Sequence, residues 1–444
     1  MNLNFLTKGE FYITIFTTFI LASCSEKEAQ LIPDSEVQIS LTSEQILQKK
    51  KMSKLANKVG QLVTSKEHVL NEITSSMNKL FDPNLDVISF ASLLGKSSKS
   101  KKSERYFTKS KKNLTSKSLI NELNNNKSNG EFYEFELFFP FEKIHSATGN
   151  MNSITVSYAP LNNVKHNEGF VYQNGILVKK VDKVDYNYIL KNPTLIILPV
   201  DQELDDLILT QYKRNKVSKN KIYQKRTNEI TTNQSIDGEW QNSIISTIIP
   251  EIRLSWGDHV DIFGLGSKIV LATGGADYDT PNPSPTSMVR SEHFVSLWDI
   301  KFRNWVSYNQ DFDNDWTRLE REVEFIAVSK HHFHFDDVSI DFDVLATALC
   351  NANFDIGLEE LLTGEFKLPS LNCEVNGGLQ EVRLSGHIGI NDSKFHANKK
   401  MLREQVLGSN FGGLGYGTKN IDGRNYTIRK LGNIEFYLKN YQVR

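Results

Sequence analysis

Between residues 42 and 81 apolar side chains return at the spacing of a helix with one buried face. Two capping-box patterns open this region, Thr42 with Gln45 and Thr64 with Glu67. In the second stretch Val69, Leu70, Ile73, Met77, Leu80 and Phe81 fall on one face, and Asp82-Pro83-Asn84 ends it. A third apolar stretch, LDVISFASLLG, follows. The stripe reads as core rather than as a partner-binding face, because an apolar helix face is normally buried in its own domain.

From residue 131 the period shortens to two. EFYEFELFF is dense in aromatics, and Ile154, Val156 and Tyr158 lie on one side of SITVSYAP. Asn174-Gly175 separates two apolar runs, which predicts a hairpin. TLIILPV suits a buried strand, and DQELDDLILTQYKRNK a short helix. Further strands are expected at EIRLSW, SKIVLATG, HFVSLWDI, EVEFIAVS, VSIDFDVLA, EVRLSGHIGI and NIEFYLKN, divided by Gly- and Asn-rich loops. No repeat of fixed period is visible. The expected fold class is α+β: a small N-terminal helical segment, then β-rich domains ending in a C-terminal β-sandwich.

The first residues follow a different rule. An apolar run of 12 residues, Phe11 to Ala22, is too short to span a bilayer comfortably and suits a signal-peptide core. It ends at Leu21-Ala22-Ser23-Cys24, which resembles the lipobox of bacterial lipoproteins. The resemblance implies cleavage before Cys24 and lipid on its sulfur. Lys8 stands against Glu10, so the leading positive charge is weak. Ser25 differs from the aspartate of inner-membrane retention signals, and Glu26 and Glu28 are similar to an export tag for the cell surface. The implied location is the cell outer membrane, lipid-anchored and open to surface exposure. Over the rest of the chain the likeness is a looser one, to uncharacterised Gram-negative surface lipoproteins. These join a lipobox and a short helical segment to β-rich domains, and the likeness carries no catalytic residues.

The units expected are a signal peptide (1–23), a tether (24–41), a helical segment (42–95) and a basic linker (96–130). A β-rich middle domain with a helix (131–235) and a sandwich-like C-terminal domain (236–444) complete the chain. Residues 96–118 hold eight Lys and one Arg against one Glu, the composition of a solvated linker, with anionic headgroups or polysaccharide as its natural contacts. The 444 residues carry a net charge of -1, so no global field draws in a polyanion, and export removes the usual nucleic-acid partner. A chain of this length buries its core without disulfides or metals. With Cys24 acylated, Cys350 and Cys373 remain, either as a disulfide in an oxidising compartment or as two separate thiols.

Candidate chemistry is sparse. Asp311, Asp313, Asp315 and Glu322 sit at positions one, three, five and twelve of a calcium-loop spacing. Trp316 holds the place of the turn glycine, Arg318 that of an apolar residue, and Glu322 opens an expected strand. The segment is therefore no EF-hand. Calcium in another geometry, drawing on Asp336, Asp337, Asp341 or Asp343, stands beside a plain solvated acidic turn. His332 and His334, within His331-His332-Phe333-His334, would share a strand face and begin a zinc site if His293, His387 or an Asp completed it. No HExxH, no GxSxG and no phosphate-binding glycine loop occurs; the glycines at 264–266 and 412–417 read as turns. Trp240, Trp256, Trp298, Trp305 and Trp316 either pack the core or stack on sugar rings. The first functional expectation is a non-enzymatic binding module for a glycan, peptide or surface protein, with calcium stiffening a loop. The alternative is a secreted metal-dependent hydrolase built on His331–His334.

Overall fold

The computed structural model describes residues 41–77, 87–90, 132, 134–149, 151–161, 166–201, 203–208, 210–211, 228–230, 244–278, 283–317, 319–330, 337–349, 379–391, 394–403, 406 and 416–442. The two long helices are α1 (Ser43–Ser65) and α2 (Glu67–Met77). The first sheet contains β1 (Val87–Ser89), β2 (Phe135–Phe138), β3 (Ile154–Tyr158), β4 (Asn167–Gln173), β5 (Ile176–Val184) and β6 (Thr194–Pro199). Short helices α3 (Glu142–Ala147) and α4 (Tyr186–Lys191) lie among these strands, and α5 (203–208) follows them. Strand order is β1-β2-β6-β3-β4-β5, antiparallel except where β3 meets β6.

The Thr42 capping box forms as expected: the Thr42 hydroxyl accepts from Gln45 N at 3.2 Å, and Thr42 N donates to Gln45 Oε1 at 2.9 Å. The Thr64 box does not. Helix α1 runs on through Thr64, whose hydroxyl donates to the Gly60 carbonyl and accepts from Gly175 N. That second bond fixes the Asn174-Gly175 turn, where both residues have positive φ, against the helix. Val69, Leu70, Ile73 and Met77 are buried; Leu80, Phe81 and all of LDVISFASLLG except residues 87–90 lie outside the described residues.

The remaining strands make two further sheets. β8 (Ile245–Leu254), β12 (Val306–Trp316), β20 (Ile434–Phe436), β21 (Lys439–Gln442), β7 (Asn228–Ile230) and β19 (Arg429–Leu431) form one. β9 (Gly266–Asp277), β10 (Ser284–Val289), β11 (His293–Ser296), β13 (Glu322–Lys330) and β16 (Lys394–Leu402) form the other. Helix α6 (Leu297–Phe302) follows β11, a ribbon is made of β14 (Val338–Leu349) and β15 (Leu379–Ile390), and a hairpin of β17 (Thr418–Ile421) and β18 (Arg424–Thr427). The molecule is thus a β-rich, sandwich-like α+β protein.

Alternation along the strands decides what each face meets. On β2, Phe135 and Leu137 face Leu55, Val59 and Ile73 of the helices, while Phe138 joins the core shared with the sandwich. On β9, Ile269 and Leu271 enter that shared core, whereas Val270 and Ala272 meet the ribbon residues Phe342 and Val344. On β13, Phe325 and Ala327 face the shared core and Ile326 and Val328 the ribbon. The inner strands β2, β3 and β6 of the first sheet and β9 and β13 of the other are therefore covered on both faces, which explains their continuous apolar runs, while the edge strands β5 and β10 are exposed. Gly274 and Gly386 leave the notch that receives the Phe342 ring; a Cβ at either would collide with it.

Three sequence expectations are corrected. HFVSLWDI is strand only to Ser296; the Ser296 hydroxyl then accepts from Asp299 N at 3.1 Å and starts α6. NIEFYLKN divides into β20 and β21. The stretch from Asp311 to Asp315 is no loop but part of β12.

Candidate functional site

Aromatic side chains gather where the first sheet meets the sandwich. Phe141 enters α3 with a left-handed backbone, φ 60°, and its ring stands edge-on to Tyr186, the first residue of α4. Tyr186 stacks on Trp256, which follows β8, with centroids 3.5 Å apart and planes at 16°. Burial raises the Tyr186 phenol above its ordinary range. Two residues beyond Phe141, the Lys143 ammonium lies 5.2 Å from the ring centre of Trp298, and Trp298 packs on Phe302 one turn along α6. The result is two ring groups, Phe141–Tyr186–Trp256 and Trp298–Phe302, linked through α3 by Phe141 and Lys143. Tyr186 covers one face of the Trp256 indole, yet Trp256 is 42% exposed and Phe302 47%. Both rings are open to solvent.

The other tryptophans are committed elsewhere. Trp316 is 0% exposed in the sandwich core, and its indole N–H donates to the Glu320 carbonyl at 3.0 Å. Trp305 is flanked by the Arg253 guanidinium at 4.7 Å and the Lys419 ammonium at 4.3 Å. Trp240 lies outside the described residues.

No family model, curated protein or solved structure matches the chain.

The structure does not gather the calcium-spaced residues into one cluster. Among the described residues no group of three His, Cys, Asp or Glu side chains is placed to hold a metal ion. Strand geometry separates the expected ligands: Glu322 turns to accept from Leu345 N at 3.1 Å. Asp313 instead meets Asp315 and Glu320, a residue the spacing did not single out. Burial first, then the charge of Asp315, pushes the Asp313 carboxyl up to about 7. Burial and the charge of Asp313 hold Glu320 well above the carboxylate range, although its Oε1 accepts from Ala276 N at 2.9 Å. Asp313, Asp315 and Glu320 thus form a carboxyl cluster beside Arg290, in which protonation relieves the mutual repulsion.

Of the zinc candidates, His331 to His334 and Asp336 lie outside the described residues, as do Cys24, Cys350, Cys373, Arg318 and the basic stretch 96–118. His293 is buried, its Nε2 3.3 Å from Gln211 Nε2, with Tyr308 against its ring. His387 is on the ribbon: its Nδ1 is 3.1 Å from Asp341 Oδ1, and Ser339 Oγ is 3.4 Å from its Nε2. This has the order of a serine–histidine–aspartate relay but not its environment. The His387 and Asp341 side chains are 57% and 94% exposed beside an open depression of about 570 Å³. A triad carboxylate works buried, beside donors for the oxyanion. Asp343, two residues on, binds Arg383 at 2.9 Å, so this face is a row of solvated cross-strand pairs. Asp337 is exposed at the start of the ribbon.

A histidine pair was not legible in the sequence. His259 and His396 meet with ring centroids 4.5 Å apart. Burial lowers His396 to about 4, and its Nε2 accepts from Asn433 N at 3.3 Å, so it packs as a neutral ring. Among the described residues no helix is long and apolar enough to cross a membrane.

Proposed function

We propose that the chain is a lipid-anchored cell-envelope protein whose folded body binds an extracellular glycan through the Trp256–Tyr186–Trp298 strip. The observation that carries the reading is the Tyr186–Trp256 stack, which presents a flat, solvent-open indole on a rigid support. A pyranose ring has one face of polarised C–H bonds, and an aromatic face attracts such hydrogens. Neighbouring polar side chains such as Lys143 and Asp258 suit the sugar hydroxyls at the rim. Ring-by-ring exposure favours a saccharide over a protein partner, whose interface needs a broad apolar centre.

Affinity electrophoresis of the purified protein through gels carrying neutral or acidic polysaccharides tests this. At least one polysaccharide retards the protein, and Trp256→Ala weakens that retention about tenfold, as loss of a central aromatic contact does. Equal retention of the variant, or capture of a protein partner with no polysaccharide retention, overturns the glycan assignment.

The anchor is a separate expectation resting on Leu21-Ala22-Ser23-Cys24. Cells fed an alkyne-bearing palmitate label the protein, and Cys24→Ser abolishes the label. Equal labelling of the variant contradicts the anchor and leaves the ring strip to be judged by its own assay.

A further inference from the structure

Alternation along β2 sends Glu136 to the side opposite Phe135 and Leu137, into the seam between the first sheet and the sandwich. Glu136 is 5% exposed. Two more carboxyls face it from the chain after β6: Asp201, and Asp205 on α5. The seam is the joint itself. The Lys268 ammonium of β9 reaches across to Asp201 Oδ2 at 3.0 Å. A few residues on, the Gln211 side chain accepts from Phe294 N at 2.7 Å and donates to Phe294 O at 3.1 Å, binding this segment to β11.

Negative charge gathers here. Glu136, Asp201 and Asp205 lie together, and among the described residues Lys268 is the cation shown paired in this seam, to Asp201. Lys330, opposite Lys268 across the strands, is taken by Glu292 at 2.6 Å. Asp206 adds a further negative charge beside Asp205, and β1 brings no charged residue. Asp205 Oδ2 is buried with no hydrogen-bond partner. Buried carboxyls crowded this closely resist ionising together, and protonation relieves their repulsion.

We propose that this seam is a proton-operated latch, tight while Glu136 and Asp205 are neutral and loosened when both ionise beside Asp201. Burial, then the charges of Asp205 and Asp201, holds Glu136 well above the carboxylate range. Burial, then Asp201 and Asp206, pushes Asp205 up to about 7. The sign follows from linkage: a carboxyl whose folded value is raised binds its proton more tightly in the folded chain. Its contribution is full below the unfolded value, about 4, and is lost as pH rises through about 7. The Asp313–Glu320 cluster titrates in the same direction, so a global melting curve cannot separate the two and a local readout is required.

Hydrogen exchange followed by mass spectrometry at about pH 5.5 and about pH 8.5, corrected for intrinsic rates, supplies it. Peptides covering 134–138 and 201–208 lose about tenfold or more protection at the higher pH, while β3 and β4 change little. Glu136→Gln, and independently Asp205→Asn should the first variant not fold, removes most of that difference. Equal protection of the seam peptides at both pH values overturns the latch. So does a wild-type pH response in whichever of the two variants folds.

Discussion

Trp316→Ala is expected to lower unfolding stability by about 4 kcal/mol, the middle of the range for deleting a buried aromatic ring. Trp316 closes β12 against the second sheet of the sandwich, with Phe312 at 5.6 Å between centroids. Phe312 in turn meets Phe325, and Phe325 meets Phe436, each at 5.1 Å, so the rings run through the core from β12 to β20. Removing the indole opens a cavity at one end of this chain and strips the Glu320 carbonyl of its donor at 3.0 Å. Denaturant unfolding measures the loss. Trp256→Ala, by contrast, leaves stability within about 1 kcal/mol of wild type, because its ring is largely outside the core. A loss under about 2 kcal/mol at Trp316 would mean that the core collapses readily around the gap.

Arg290→Met is expected to cost about 3 kcal/mol. Arg290 is buried, and burial lowers its pKa below the ordinary guanidinium value. Its donors serve the carbonyls of Asp311, Phe312 and Met288, the last at 2.8 Å, and the Thr273 hydroxyl at 3.1 Å. β12 pairs irregularly with β8, with register shifts between Ser307 and Gln310 and on both sides of Asp313. Each shift interrupts the ladder, and the guanidinium satisfies carbonyls of the bulged strand. Methionine fills similar volume but donates nothing. It also removes the cation beside Asp313, so the loss deepens as pH rises and that carboxyl ionises. A variant as stable as wild type at both acidic and alkaline pH would show that the carbonyls find other donors.

The architecture was readable where one face of an element is apolar. The hairpin at Asn174-Gly175, the continuous run of β6 and the helix face from Val69 to Met77 each follow a single local period. β12 escaped because its inward residues, Tyr308, Phe312 and Trp316, are separated by polar side chains and bulges, and Asp311-Phe-Asp313-Asn-Asp315 drew attention to a loop spacing. The start of α6 was present in the sequence as Ser296 followed by Asp299, a capping pattern hidden inside an apolar run. The sites were less legible, because chemistry there joins distant positions. Trp256 reaches Tyr186, Glu136 faces Asp205, and His259 meets His396 only after the sheets assemble. Local spacing suggested which acids are close in sequence; burial decided which of them share protons.

Incorporating 5-fluorotryptophan gives one fluorine resonance for each of the five tryptophans, assigned by single substitutions. Titration with a polysaccharide that retains the protein is then the most direct measurement of the glycan-binding reading. The account predicts that Trp256 and Trp298 move with added polysaccharide while buried Trp316 stays fixed. Polysaccharide that shifts Trp305 or Trp240 alone, or leaves every resonance in place, would contradict it.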